Sequence, residues 1–219
     1  MERISDAFGW PARDPGWITK VAVTGLILLI PIVGIINGLG WMLAALDRLR
    51  SGDQTLPPAN LSYLGRGWRL FTVQLAYGLV LSVVTAIVYV PSVVLFVHEG
   101  HGSADLALVS AGALLSTLAV SIATLGSVGL NFVMPSIVLE TDRNGIAAGL
   151  NLSRVVRLAR GSLANTLIAG LMLIAAGFIG SLGVVLCGFG VVLTTAYALA
   201  MQAWIVRSFE LGKSGTTTP

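Results

Sequence analysis

Charge is scarce in this sequence. Of its 219 residues, 13 are Lys or Arg and 10 are Asp or Glu, so charged side chains make up 11% of the chain, against roughly 25% in an average soluble domain. A soluble fold of this length cannot hide from water the apolar surface that 55% hydrophobic residues bring. The composition therefore excludes a soluble enzyme.

The residues of common catalytic chemistry are also rare. Cys187 is the only cysteine, so no intrachain disulfide can form, and the only histidines are His98 and His101. A serine nucleophile would find a histidine base only in that one short stretch. Carboxylates are missing from the long apolar runs, although proton- or sodium-coupled transporters usually need an ionisable group there. We therefore expect neither catalysis nor coupled transport.

What the sequence does have is four long runs without a single charge. Each exceeds the roughly 20 residues that a helix needs to cross a bilayer. The last run would measure about 69 Å as one helix, so we expect two spans joined by a turn near Gly180–Gly190. The runs are Val21–Leu46, Leu70–Val97, Leu106–Leu139 and Gly161–Val206. They predict an all-α, polytopic transmembrane bundle with four full spans plus a broken first element.

The first run is interrupted by Pro31 and Gly34. Proline removes helical hydrogen bonds and glycine permits a turn, so these two residues predict a helix break. Two interpretations follow: one kinked span, or a re-entrant pair of half-helices over about 18–30 and 35–46. Each half is about 20 Å or shorter, too little to cross alone.

The positions of the cations bear on that choice. Loops 47–69 and 140–160 each hold four arginines, the tail holds Arg207 and Lys213, and loop 98–105 has no Lys or Arg. By the positive-inside rule we expect both loops and the C-terminus to be cytoplasmic. A re-entrant first element would also place the N-terminal cations inside, so that all 13 share one side. The charge distribution favours the re-entrant hairpin.

We expect one transmembrane domain over residues 18–208, preceded by an interfacial arm, 1–17, and followed by a polar tail, 209–219. In the arm, Asp14 followed by Pro15 is typical of a helix N-cap. Residues 146–160 predict one basic amphipathic helix. These interfacial segments should lie beside the membrane surface.

Two sets of polar residues are candidates for function. The first could form hydrogen bonds in the membrane core: Asn37, Gln74, Asn131 and Gln202. The second could contact anionic lipid headgroups: Arg66, Arg69, Arg154, Arg157 and Arg160. His98, Glu99 and His101, with Asp105, are the only cluster that resembles a metal site, but their spacing favours a solvated turn. We assign no catalytic residue, cofactor or metal.

The N-terminal half resembles a known membrane family. An Asp-Pro-x-Trp motif precedes an apolar stretch with a Pro-x-x-Gly break, and an Arg-Ser-Gly segment, a Leu-Pro turn and a Tyr-x-Pro follow. The residues that carry this pattern are Phe8, Pro11, Asp14, Pro15, Trp17, Lys20, Gly25, Pro31, Gly34, Gly38, Gly40, Arg50, Ser51, Gly52, Leu56, Pro57, Tyr89 and Pro91. They resemble the domain-of-unknown-function family 4013 of bacterial and archaeal integral membrane proteins. That resemblance implies fold and location and supplies no catalytic residue.

The sequence thus predicts a non-enzymatic protein of the cell membrane, the inner membrane in a bacterium. It would act as a structural, scaffold or lipid- and protein-interacting component. Its expected partners are membrane lipids and other membrane proteins or further copies of itself, and not nucleic acid. The alternative is a small transporter or channel-like protein that uses the broken helix around Pro31–Gly34, with Asn37 and Asn131 in its lining.

Overall fold

The computed structural model describes residues 6–99, 106–185 and 189–214, and the regular structure in these ranges is entirely helical. Nine α-helices occur there, with a 3-10 turn over Trp10–Arg13. The helices are α1 (Asp6–Gly9), α2 (Trp17–Leu28), α3 (Val33–Arg50), α4 (Leu64–Glu99), α5 (Leu106–Asn144), α6 (Ile146–Leu150), α7 (Leu152–Arg160), α8 (Leu163–Val185) and α9 (Phe189–Ser214). The all-α prediction is confirmed.

Four of the described helices are long and apolar enough to cross a membrane. The qualifying segments are Leu64–Val97, Leu106–Asn144, Leu163–Gly183 and Gly190–Gly212, which belong to α4, α5, α8 and α9. The last apolar run therefore forms two helices, as its length required. Four such helices suggest a multi-pass membrane protein. Cys187 lies outside the described residues.

The first apolar run is divided into α2 and α3, as Pro31 and Gly34 predicted. Ile32, between them, has a φ of 63°, a conformation that is strained for a β-branched residue. A Cβ on Gly34 would lie 2.2 Å from the carbonyl oxygen of Ile27. Glycine is therefore needed at this position, because a side chain there would collide with the main chain of α2.

Contacts divide the chain into two compact units. The first consists of Met1–Val73 and Asn131–Pro219. Within it α9 packs against α8, α2 and α3, and its buried core includes Trp10, Trp41 and Met201. The ring of Trp10 stacks on that of Trp204 at 5.9 Å, which fixes the N-terminal arm to α9.

The second unit, Gln74–Leu130, consists of parts of α4 and α5. The hydroxyl of Ser116 donates to that of Ser92 at 2.9 Å, and a Cβ on Gly126 would meet the side chain of Leu81. These pairs run in opposite directions along the two helices, so the segments are antiparallel, as expected for an out-and-back pair.

Two local predictions are wrong. Residues 146–160 form two helices, because the side chain of Asn151 accepts a hydrogen bond from the Arg154 N–H at 3.1 Å and starts α7 anew. Asp14 does not cap α2, which begins at Trp17 after Gly16. Its carboxylate instead accepts hydrogen bonds from Gly16, Lys20 and Leu56.

Candidate functional site

Asp14 joins the two chain segments that flank the first apolar run. Its Oδ2 accepts from the Lys20 ammonium at 2.6 Å and from the Leu56 N–H at 2.8 Å, and its Oδ1 accepts from the Gly16 N–H at 2.8 Å. Lys20 also donates to the Leu56 carbonyl at 2.8 Å. The segment before α2 and the segment after α3 are therefore in direct contact.

The environment of Asp14 keeps its carboxylate charged. Burial, which leaves the residue 3% exposed, would raise its pKa. The hydrogen bonds from Lys20, Gly16 and Leu56 outweigh that effect, so the pKa lies below the usual 3.8. Asp14 thus acts as a buried anionic anchor for three donors.

Asn37, a predicted membrane-core polar residue, is buried and holds the segment after the Leu-Pro turn. Its Nδ2 donates to the Asn60 carbonyl at 2.8 Å, and its Oδ1 accepts from the Tyr63 N–H at 3.3 Å. Both polar atoms of the amide are therefore used within the chain. Gln74, Asn131 and Gln202 are half-buried on α4, α5 and α9, and their predicted role between helices stays a prediction.

Charged residues at the ends of α3, α4, α5 and α9 form one network, here called the charged cluster. Arg50 donates to Asp142 at 2.7 Å and to Glu210 and Asp47 at 3.1 Å each. Arg66 donates to Asp142 at 2.7 Å and also pairs with Asp47. Glu210 further accepts from two more arginines. The seven members are Asp47, Arg50, Arg66, Asp142, Arg143, Arg207 and Glu210.

Mutual pairing holds these groups in their charged forms. Burial would raise the pKa of Asp47, but hydrogen bonds from Arg66 and Arg50 lower it overall. Burial would likewise lower the pKa of Arg50, whereas its bonds to Glu210 and Asp142 raise it. The cluster contains four arginines and three carboxylates, so it carries one excess positive charge.

The charged cluster was not predicted from the sequence. Arg50 and Glu210 are 160 residues apart, and such pairing follows only from the packing of the helices. A signal was nevertheless present: each carboxylate of the cluster lies within three positions of an arginine at a helix end, as with Asp47 and Arg50 or Arg207 and Glu210. Arg66 is engaged by these carboxylates, and its predicted lipid contact stays untested.

Three of the other predicted basic residues lie on an exposed surface of α7, here called the α7 basic face. Arg154, Arg157 and Arg160 are exposed, whereas Val155 and Ala159 on the same helix are buried. Two shallow depressions adjoin it. One, of about 420 Å³, includes Arg154 and Arg157, and the other, of about 860 Å³, includes Arg157 and Arg160.

A separate cleft of about 440 Å³, here called the Arg69 cleft, lies between α3, α4 and α5. Its lining consists of Leu43, Gly65, Arg66, Arg69, Leu70, Thr141 and Asp142. The structure thus brings Arg66 and Arg69 together in a concave site, apart from the α7 basic face.

The predicted metal-like cluster cannot be placed. His101 and Asp105, and the side chains of His98 and Glu99, lie outside the described residues. Within the part of the chain that the structure describes, no group of three or more His, Cys, Asp or Glu residues is arranged to hold a metal ion.

A known family matches the region that contains the helix break and the helices after it. The model of the family described as protein of unknown function (DUF4013) matches residues 23–189. The chain belongs to this family. The family resemblance is confirmed over residues 23–189, which reach from α2 through α8. The motif residues from Phe8 to Lys20 precede the matched range. Neither a curated protein nor a solved structure matches this DUF4013 chain.

Proposed function

We propose that this DUF4013 protein is a non-enzymatic component of the cell membrane that binds anionic lipid headgroups through the α7 basic face. The supporting observation is the division of α7 into two sides. Val155 and Ala159 are buried against the protein, whereas Arg154, Arg157 and Arg160 are exposed. Such a helix beside membrane spans is typical of an interfacial element.

Two further features support lipid as the partner. Leu152, on the same helix, is 60% exposed, so an apolar side chain accompanies the arginines as it does in interfacial helices. The depressions along α7 are wide and open to the surface, with Arg157 at the edge of both. This shape suits several loosely held headgroups better than one enclosed small molecule.

The absence of an enzymatic role is part of the proposal. Among the carboxylates in the described ion pairs, the three with the least exposed side chains, Asp14, Asp142 and Glu210, are bound by Lys or Arg. Each is therefore committed to a structural pair and is a weak candidate for proton transfer.

Lipid binding can be tested with the intact protein in mild detergent. We expect the wild type to bind phosphatidylglycerol more tightly than phosphatidylcholine, and the triple variant R154Q/R157Q/R160Q to lose about a hundredfold in affinity for phosphatidylglycerol, at about 1 kcal/mol per arginine. Native mass spectrometry across a lipid titration gives the affinities. The binding should weaken as salt is added.

R13Q serves as a control, because Arg13 is also an exposed arginine but pairs with Asp6 in the N-terminal arm. It should bind lipid as the wild type does. Equal phosphatidylglycerol binding by the wild type and the triple variant would refute the proposal.

The transporter alternative has less support. A path at the break would need Gly34 and Asn37 in its lining. Gly34 instead packs against Ile27, and both polar atoms of Asn37 bond within the chain. These contacts favour a structural role for the break.

We also propose that the first element is re-entrant and that loops 47–69 and 140–160 and the C-terminus are cytoplasmic. The contact of Asp14 and Lys20 with Leu56 supports this topology, because the two flanks of a single span would lie on opposite sides of the bilayer. The excess of arginines in these loops supports the cytoplasmic orientation. Labelling of single cysteines on both flanks tests it.

A further inference from the structure

We propose that the Arg69 cleft binds one phosphate group, carried either by a phospholipid headgroup or by a free phosphate compound. This site is separate from the α7 basic face and shares no residue with it. The proposal can therefore hold or fail independently of the proposed function.

The size and lining of the Arg69 cleft suit a small ligand. A volume of about 440 Å³ lies within the range of about 300–1,000 Å³ for small-ligand sites. Arg66 and Arg69 are three positions apart on α4, so they share one side of the helix. Leu43 and Leu70 provide apolar wall beside them.

The charges at the cleft favour an anion. Arg66 is held in place by Asp142 and Asp47, so its orientation is fixed before a ligand arrives. The negative charge of Asp142 is balanced by its ion pairs with Arg66 and Arg50. The charged cluster beside the cleft already carries one excess positive charge, and Arg69 adds a second. The cleft therefore favours an anion. Guanidinium groups match the geometry of phosphate oxygens through paired N–H donors.

The surroundings of Arg69 match headgroup depth. The neighbouring Trp68 is 53% exposed, and its ring lies 5.9 Å from that of Phe71. Exposed tryptophan beside a span is typical of the membrane–water interface. A phosphate at this depth can therefore be that of a lipid headgroup.

Gly65 offers a way to fill the cleft without removing a charge. It lines the cleft, and a Cβ added there would meet no atom within 4 Å. A leucine at this position would therefore extend into open space. Gly78, on the same helix, also has open space around its Cβ position and provides a matched control.

The test uses the full-length protein in detergent and isothermal titration with three probes: a short-chain phosphatidylglycerol, glycerol 3-phosphate and inorganic phosphate. We expect the α7 triple variant, whose α7 basic face no longer adds its own phosphatidylglycerol binding, to bind at least one probe at one site. Introduced into that variant, R69Q and G65L should weaken the binding at least tenfold, whereas G78L and R13Q should leave it unchanged. R69K keeps the charge and loses the paired donors, so its affinity for the probe should lie between those measured with Arg69 and with R69Q.

The probes distinguish the source of the phosphate. Binding of phosphatidylglycerol alone indicates a lipid site, and binding of glycerol 3-phosphate or inorganic phosphate indicates a soluble ligand. Failure of the α7 triple variant to bind any probe would overturn the proposal, as would an affinity that stays the same when R69Q is added to it. If G65L lowers the melting temperature, R69Q decides the result, because Arg69 is exposed.

Discussion

A single carboxylate, Asp14, connects the two flanks of the first apolar run. It is nearly buried, and its two oxygens accept from Gly16, Lys20 and Leu56. A charged acceptor with several donors contributes more than a neutral hydrogen bond, because each donor would otherwise lose its partner. The residue therefore stabilises a contact between segments about 40 positions apart.

D14N should destabilise the protein by about 2 kcal/mol. An amide has one acceptor oxygen, whereas Asp14 uses both of its oxygens, so at least one donor would face the amide NH2. Thermal unfolding in detergent, followed by circular dichroism, measures the loss. D53N is the control, since Asp53 also accepts from a backbone N–H, that of Thr55, but on an exposed loop; it should change the melting temperature little.

The same variant alters the response to acid. The folded pKa of Asp14 is lower than the ordinary 3.8, so the stability it contributes is present above that value and is lost as pH falls below it. The difference in melting temperature between wild type and D14N should therefore shrink below about pH 4. A difference that stays constant down to pH 2.5 would contradict this role for Asp14.

Much of the residue-level arrangement was beyond sequence reasoning. The break at Pro31 and Gly34 could be predicted, because both residues act on their own backbone. The partners of Asp14 could not, since Leu56 contributes only main-chain groups that carry no sequence signal. Asp142 and Glu210 lie close together for a similar reason: their proximity follows from helix packing and not from local pattern.

At the scale of helices, α3 and α4 cross with their backbones in contact. A Cβ on Gly67 would lie 1.8 Å from the Ile36 carbonyl oxygen and 2.7 Å from the Gly40 nitrogen. A Cβ on Gly40 would lie 2.1 Å from the Tyr63 carbonyl oxygen. Small residues at such crossings are common in membrane proteins because close approach increases van der Waals packing.

G67A should separate α3 from α4 and cost about 1–3 kcal/mol. The atoms that the new methyl group would meet are main-chain atoms, which cannot move aside as a flexible side chain can. The control is G78A, which introduces the same methyl group on α4 into open space. The melting temperatures of the purified variants, measured side by side, test the prediction; equal values for the two would show that the crossing tolerates a side chain.

Across the whole molecule, the sequence was most informative about class and least informative about topology. Three of the four charge-free runs account for the four candidate spans, two of them in the last run, because bilayer thickness sets a minimum length for apolar helices. The division of the first run into α2 and α3 was also foreseeable. Which side of the membrane each flank occupies depends on where the flanks meet, and that is a tertiary contact.

Cysteine labelling in intact cells can decide the topology. With Cys187 replaced by serine, G9C and S51C each carry one cysteine at an exposed position, one on each flank of the first run. The proposed re-entrant topology, supported by the contacts of Asp14 and Lys20 with Leu56, puts both flanks on the cytoplasmic side. We therefore expect a membrane-impermeant maleimide to label both only after the cells are permeabilised. S103C, in the loop predicted to face outward, should label without permeabilisation. Labelling of G9C from outside, with S51C still protected, would mean that the first run crosses the membrane as one kinked span.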